Sequence, residues 1–466
     1  MHETLIASAD LAIPVRAMFD EDLDQVLTGE RDRALAAAHG FKAQAGRLVL
    51  VNGADGALES VWFGLGKAAN ADALAFRGLS ARLPDGDYRI ELSRPGLADD
   101  QIALAWALGT YVFDRYKARE DRPRPRLVVG EGTDLERAIR LERACFLARE
   151  MIDTPASDMG PLQIETIARE IAAGHGARIS VTTGDALLEA NYPAVHAVGR
   201  AAHPARAPRL IEIAWNEERT DLPLLALVGK GVVFDSGGLD IKPASGMRNM
   251  KKDMGGAAHA LALARLVMQA GLAVRLVVVV PAVENAISGD AFRPGDVLRT
   301  RKGLTIEVGN TDAEGRVILS DALARAGEHA PDLTIDFATL TGAARVALGP
   351  ELPPLYTDDD VLAEEILAAG REVSDPVWRM PLWRGYREAV ESEIADLRND
   401  SADWAQAGSV TAALFLQRFA PTTGAWVHFD IFAWNPRGRP GWRAGAEAQA
   451  IRAVFSTLER RYGPAR

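Results

Sequence analysis

The chain has 466 residues, 48% hydrophobic and 25% charged, the balance of an ordinary soluble globular protein. That length exceeds what one hydrophobic core usually holds, so two domains are expected. A net charge of −11 opposes broad, nonspecific attraction to nucleic acid or anionic membrane, and the single cysteine, Cys145, excludes an intrachain disulfide framework. The opening stretch, Met1 to Asp10, lacks the basic start and apolar core of a signal peptide. The longest strongly apolar run, Leu276 to Val283, is too short to span a bilayer. A cytoplasmic protein without membrane contact is the expectation.

In the first third, Arg47–Val51 and Leu58–Phe63 read as strands joined by the turn Asn52-Gly-Ala-Asp-Gly56. Gln101 to Lys117 is apolar at helical spacing. Arg122-Pro-Arg-Pro-Arg126 then reads as an exposed connection to the strand Leu127–Gly130. Thr133-Asp-Leu-Glu-Arg137 opens a helix with N-cap chemistry, running to Asp153. Its charges (Glu136, Arg137, Arg140, Glu142, Arg143) suit a bridge between domains, and Cys145 lies on an apolar stretch that predicts a buried, inert thiol. Pro155 and Pro161 punctuate the exit. The expected division is therefore residues 1–132, a linking helix at 133–153, and residues 154–466.

The remainder alternates strands (224–228, 274–280, 304–308, 333–337) with helices (255–269, 317–327, 408–419). This order predicts an α/β protein of two domains. The smaller N-terminal domain is α/β, and the larger C-terminal α/β domain has a central mixed sheet flanked by helices.

Two charged segments stand out. Residues 228–258 carry Lys230, Asp235, Gly237-Gly238, Lys242 and Asp253; a phosphate loop fails there, because Gly231 follows Lys230 and no glycine stands at the required upstream position. Lys251 and Lys252 read as solvated, and Asp253 alone reads as a helix cap. The second segment is Asn310-Thr-Asp-Ala-Glu-Gly-Arg316. If extended, it crowds Asp312, Glu314 and Arg316 onto one face; as a polar turn, it caps the following helix. Taken alone, it supports both readings equally. Asp235, Asp253, Asp312 and Glu314 all lie at strand ends or in the loops after them, where open α/β sheets gather ligands. Four converging carboxylates repel one another unless protonated or neutralised, and two divalent ions would balance them. No His-Glu-x-x-His is present, and His259 and His428 read as structural.

The two segments, GKGVVFDSGGLDIKP with MKKDMGGAA and the intact NTDAEGR, resemble signatures of the leucyl aminopeptidase (cytosol aminopeptidase) family of dinuclear metallopeptidases. The likeness covers roughly the last two-thirds of the chain and makes that part the catalytic domain. It implies that Lys230, Asp235, Asp253, Asp312 and Glu314 bind two divalent ions, zinc or manganese, with Asp235 and Glu314 bridging them. It implies further that Lys242 polarises the scissile carbonyl, and that Arg316 holds a bicarbonate acting as general base. Met250, Thr339 and Gly342 match positions that shape the pocket for the substrate's first side chain. The implied activity is release of N-terminal residues from peptides with a free amino terminus, by a homohexamer of two stacked trimers. One departure is visible: Phe432 and Trp434 stand where the family usually has small residues, which puts a leucine preference in doubt. A narrow dipeptidase, for example of cysteinylglycine type, and DNA binding by the assembled protein through Arg122–Arg126 are the alternatives; net acidity makes DNA the weaker one.

Overall fold

The computed structural model describes residues 3–117, 124–401 and 404–463. The chain divides into two compact units, Met1–Phe146 with Pro436–Ala444, and Leu147–Asn435 with Gly445–Arg466. The division falls inside the helix Leu135–Asp153, which therefore belongs to both. Asp134 rather than Thr133 caps this helix, accepting from Arg137 N at 2.9 Å. The charged residues along it are not all solvated: Glu142 is buried and accepts from Thr4, and buried Arg149 donates to the Ala446 carbonyl at 3.1 Å. Cys145 is fully buried, as its apolar neighbours predict.

The first unit holds a six-stranded mixed sheet. Its strands are β1 (Leu5–Ile6), β2 (Ile13–Phe19), β3 (Leu48–Asn52), β4 (Leu58–Gly66), β5 (Gly86–Leu92) and β6 (Pro125–Val128), in the order β1-β6-β5-β2-β4-β3. The predicted hairpin is β3 and β4, antiparallel with Leu50 opposite Val61. Val61, Phe63, Phe76, Tyr88 and Trp106 fill the core. The predicted helix from Gln101 runs Asp99–Gly109, stopping well before Lys117. Of the predicted connection, Arg122 and Pro123 lie outside the described residues. Pro125 already opens β6, and Arg126 forms a two-pronged pair with Asp87 at 2.6 and 2.7 Å. A guanidinium so occupied is a poor phosphate ligand.

The second unit is built on a nine-stranded mixed sheet. Along the chain come β7 (Arg178–Thr183), β8 (Arg209–Trp215), β9 (Leu224–Gly229), β10 (Gly231–Asp235), β11 (Arg275–Asn285), β12 (Val297–Arg299), β13 (Thr305–Glu307), β14 (Leu333–Ala338), β15 (Pro354–Tyr356), β16 (Trp378–Arg379), β17 (Leu397–Arg398) and β18 (Ala425–Asp430). The order is β16-β15-β18-β14-β9-β11-β8-β7, with β10 continuing beside β11, while β12, β13 and β17 form a separate small sheet. The central strands β18, β14, β9 and β11 are mutually parallel, and β7, β8 and β15 make antiparallel pairs at the flanks. The near-continuous apolar sequences of β9 and the first part of β11 follow from burial on both faces, whereas β14 and β18 interrupt theirs with Asp336 and His428. On one side lies the helix Gly255–Gln269, buried at every position except Arg265 and Gln269. Ile318, Ala322 and Leu323 of the helix Glu314–Glu328 join the core with Val228 and Val277. No described helix is long and apolar enough to cross a membrane.

Two predicted histidines are structural, as expected. His259 hydrogen-bonds the Gly255 carbonyl and accepts from Gln449 N, and burial lowers its pKa to about 4. His428 packs against Asp336 at 2.6 Å, the other oxygen of which takes the Trp426 indole N–H at 2.7 Å.

Candidate metal centre and its cavity

The site lies where the parallel strands end. β9 stops at Gly229, Lys230 follows, and β10 carries the chain to Asp235. The next turn needs Gly237 (φ 87°) and Gly238 (φ 66°), a left-handed conformation that costs glycine little. A Cβ on Gly237 would also lie 2.5 Å from the Asp240 carbonyl. The turn returns Lys242 to the carboxylates it has just left.

NTDAEGR is neither a strand nor only a cap. Asn310 alone is extended; Thr311–Ala313 forms a 3-10 turn, and the helix Glu314–Glu328 begins at Glu314, three residues before the predicted start. The extended reading is therefore corrected: a tight turn running into a helix, not strand alternation, brings the acids together. The Asn310 side chain caps the turn, accepting from Asp312 N at 2.8 Å. Asp253 sits in another 3-10 turn, Met250–Met254, ahead of its helix. It makes no cap; its carboxylate accepts from Thr339 Oγ1 at 2.8 Å instead.

The structure thereby gathers residues far apart in sequence. Asp235, Asp312 and Glu314 offer carboxylate oxygens all within 4.8 Å of one another. Lys230 Nζ lies 2.8 Å from Asp253 Oδ2, 2.9 Å from Glu314 Oε1, and donates to the Thr339 carbonyl at 3.1 Å. It reaches there because residue 315 is glycine: a Cβ would stand 2.5 Å from Lys230 Cε. Lys242 Nζ pairs with Asp235 Oδ2 at 2.8 Å and with Asp312. Two ammonium groups thus answer four carboxylates, and the remainder shows. Glu314 is buried, and its Oε2 has no hydrogen-bonding partner. Burial and the neighbouring Asp235 push its pKa well above the ordinary value, and the same two causes raise Asp312 to about 6. Burial opposes the charge on Lys230, but Asp253, Glu314 and Asp235 together raise its pKa. An unpartnered buried carboxylate is costly unless a cation completes it.

A cavity of about 330 Å³ opens beside these groups. Lys230, Asp235, Lys242, Asp253, Asp312 and Arg316 line it, as do Met250, Thr339 and Gly342. Arg316 is buried in the first turn of its helix with Nε unpartnered. Of the two aromatic departures, Phe432 lines the cavity; Trp434 instead lies under Lys251, 5.6 Å from its Nζ.

Sequence reasoning misplaced two lysines and missed two supporting residues. Lys251 and Lys252 are not solvated. Lys251 donates to the Asp153 carbonyl, and Lys252 is 6% exposed, lines the cavity, and has its pKa lowered by burial. Asn285, at the end of β11, donates to Asp235 Oδ1 at 2.8 Å and to the Thr311 carbonyl at 3.1 Å, tying the two acidic segments together. Thr311 contributes its hydroxyl to the Gly237 carbonyl at 2.6 Å. Pairing across 26 or 74 residues leaves no local sequence signal.

Comparisons with known proteins place nearly the whole chain in one family. A profile described as "Cytosol aminopeptidase family, catalytic domain" matches residues 146–455, and one described as "M17 aminopeptidase, N-terminal domain" matches residues 13–129. The "Probable cytosol aminopeptidase" of Syntrophotalea carbinolica is 36% identical over 480 residues, covering 95% of both chains. Among solved structures, the cytosol aminopeptidase from Coxiella burnetii is 43% identical with a TM-score of 0.91, over 98% of this chain and 99% of that one. The bottromycin maturation enzyme BotP in complex with Mn is 33% identical with a TM-score of 0.85, over 97% and 100%.

Proposed function

Because the chain belongs to the cytosol aminopeptidase family of hydrolases, we propose that it releases N-terminal residues from peptides by two-metal hydrolysis of the first peptide bond. Lys230, Asp235, Asp253, Asp312 and Glu314 would hold the ions, Asp235 and Glu314 each being able to serve both. The observation that carries this reading is Glu314, a buried carboxylate with an unpartnered oxygen among three further acids. Carboxylate-rich donors suit divalent ions such as manganese or zinc; the manganese complex of BotP supports the former. When bound, such ions supply Lewis acidity and lower the pKa of water towards ~7.

The chain's own residues divide the remaining work. Lys242 is held at the cavity wall by Asp235, whose carboxylate favours the charged amine, and it would donate to a substrate carbonyl and stabilise the oxyanion. Lys230 faces the opposite demand. As a ligand it would act through its neutral amine, a form that neighbouring dications favour by repelling the ammonium. Arg316, buried with a free Nε in a helix's first turn, fits a small anion, and bicarbonate there would serve as proton acceptor. Thr339 keeps Asp253 oriented, while Met250 and Gly342 shape the space for the substrate's first side chain. Phe432 on the same wall favours a narrow preference, dipeptides included, over a broad one.

Chelation of the purified protein should abolish hydrolysis of an aminoacyl anilide and peptide panel, and Zn²⁺ or Mn²⁺ should restore it. N-acetylated versions should stay intact, because a blocked amine cannot coordinate a metal. Cleavage of acetylated peptides at comparable rates would sink this reading. The assembly proposed is a hexamer of two stacked trimers, which sedimentation should report as six chain masses.

A further inference from the structure

Beside the acids, the cavity carries two cations without an ion pair among the described residues. Lys252, on the turn Met250–Met254, is 6% exposed, yet among the described residues its ammonium has neither a hydrogen bond nor an ion pair. Arg345, on the helix Gly342–Leu348, is exposed and likewise has no acidic partner among them. Both stand at the face of Phe432: Lys252 Nζ and Arg345 Cζ are each 5.1 Å from the ring centroid. All three line the cavity. Nearby acids are already engaged. Asp253 is taken by Lys230 and Thr339, and Asp430 by the Thr341 hydroxyl and the amides of Leu340 and Thr341. Asp400, on the wall, pairs with Arg398 at 3.1 Å.

A buried lysine without an anion is expensive, and a ring face offsets only part of its lost hydration. Among the described residues neither cation spends a donor on an acid, and both line the cavity, where an ammonium and a planar guanidinium each suit a carboxylate. The space also adjoins Met250, Thr339 and Gly342. We infer that Lys252 and Arg345 recognise a carboxylate of the peptide substrate, borne either by an acidic side chain or by the C-terminus of a short peptide. This rests on the aminopeptidase reading above.

The test compares kcat/KM for isosteric pairs on the metal-loaded protein: glutamyl against glutaminyl p-nitroanilide, and alanylalanine against alanylalanine amide. At least one carboxylate form should be favoured by about tenfold or more, the scale of one charge-assisted hydrogen bond. The first ratio identifies a side chain as the source, and the second a C-terminus. In Lys252→Met that ratio should fall towards one; Arg345→Gln, at an exposed position that does not burden folding, should lower it by a smaller factor. Both wild-type ratios near one, or a ratio unmoved by either substitution, would overturn the inference while leaving the aminopeptidase reading intact. Failure to turn over any of the four substrates, together with the whole aminoacyl anilide and peptide panel, would bring down both.

Discussion

Two buried acidic clusters in the larger unit invite comparison, because they share depth but not completeness. Glu212 on β8 is 5% exposed, yet both its oxygens are engaged: Arg325 reaches them at 2.6 and 3.0 Å, and His329 Nε2 lies 3.5 Å away. Burial works against its charge, but His329 and Arg325 outweigh it and bring its pKa from 4.5 down to about 2. Glu314, 1% exposed, is pushed the other way and keeps an oxygen unpartnered. Burial alone therefore does not mark a functional acid. What marks it is a charge the fold has not balanced, since a structural acid is selected to be satisfied and a ligand to be available.

The sharpest way to break this contrast is to remove each acid. Glu314→Ala should abolish measurable turnover and metal retention while leaving thermal stability near that of the parent. Near-normal turnover would contradict its proposed role as a metal ligand. Lys242→Ala should follow, lowering kcat by about 10²–10³, the scale of a lost oxyanion donor, with bound metal largely retained by atomic absorption. Parallel loss of metal and rate would show that this lysine serves only to hold Asp235 and Asp312. Glu212→Gln should leave kcat/KM unchanged and cost about 2 kcal/mol of stability at pH 7, the scale of a charge-assisted hydrogen bond. The sign of its pH dependence is set by the depressed pKa. The stabilisation is full above about pH 4.5 and is lost as pH falls through about 2. Denaturant unfolding should therefore show parent and variant converging towards pH 2; a gap that widens on acidification would reverse the assignment.

The sequence carries the central elements well where burial is uniform. β9 and β14, and the helix Gly255–Gln269, appear within a residue or so of their expected bounds, because β9 and most of the helix are small and apolar, and β14 keeps Leu333, Ile335 and Phe337 around Thr334 and Asp336. The flanking strands β7 and β15 escaped for different reasons: Arg178–Thr183 alternates but is partly exposed and carries only two apolar residues, while Pro354–Tyr356 is buried but just three residues long. The site residues were legible through their motifs, but the motif spacing misled locally: Asp312 and Glu314 converge through a 3-10 turn rather than through an extended strand.

Chemistry by type was thus determined along the chain: which acids, lysines and arginine are available, and that their loops follow strands. Only the tertiary structure decided how they are matched. It spent Lys230 and Lys242 on four carboxylates, left Glu314 one oxygen short, and turned Lys252 from an expected surface residue into a buried cation against Phe432. The reason is physical. Whether a charge is solvated, paired or stranded depends on distances of a few ångströms between segments dozens of residues apart, which no local pattern encodes.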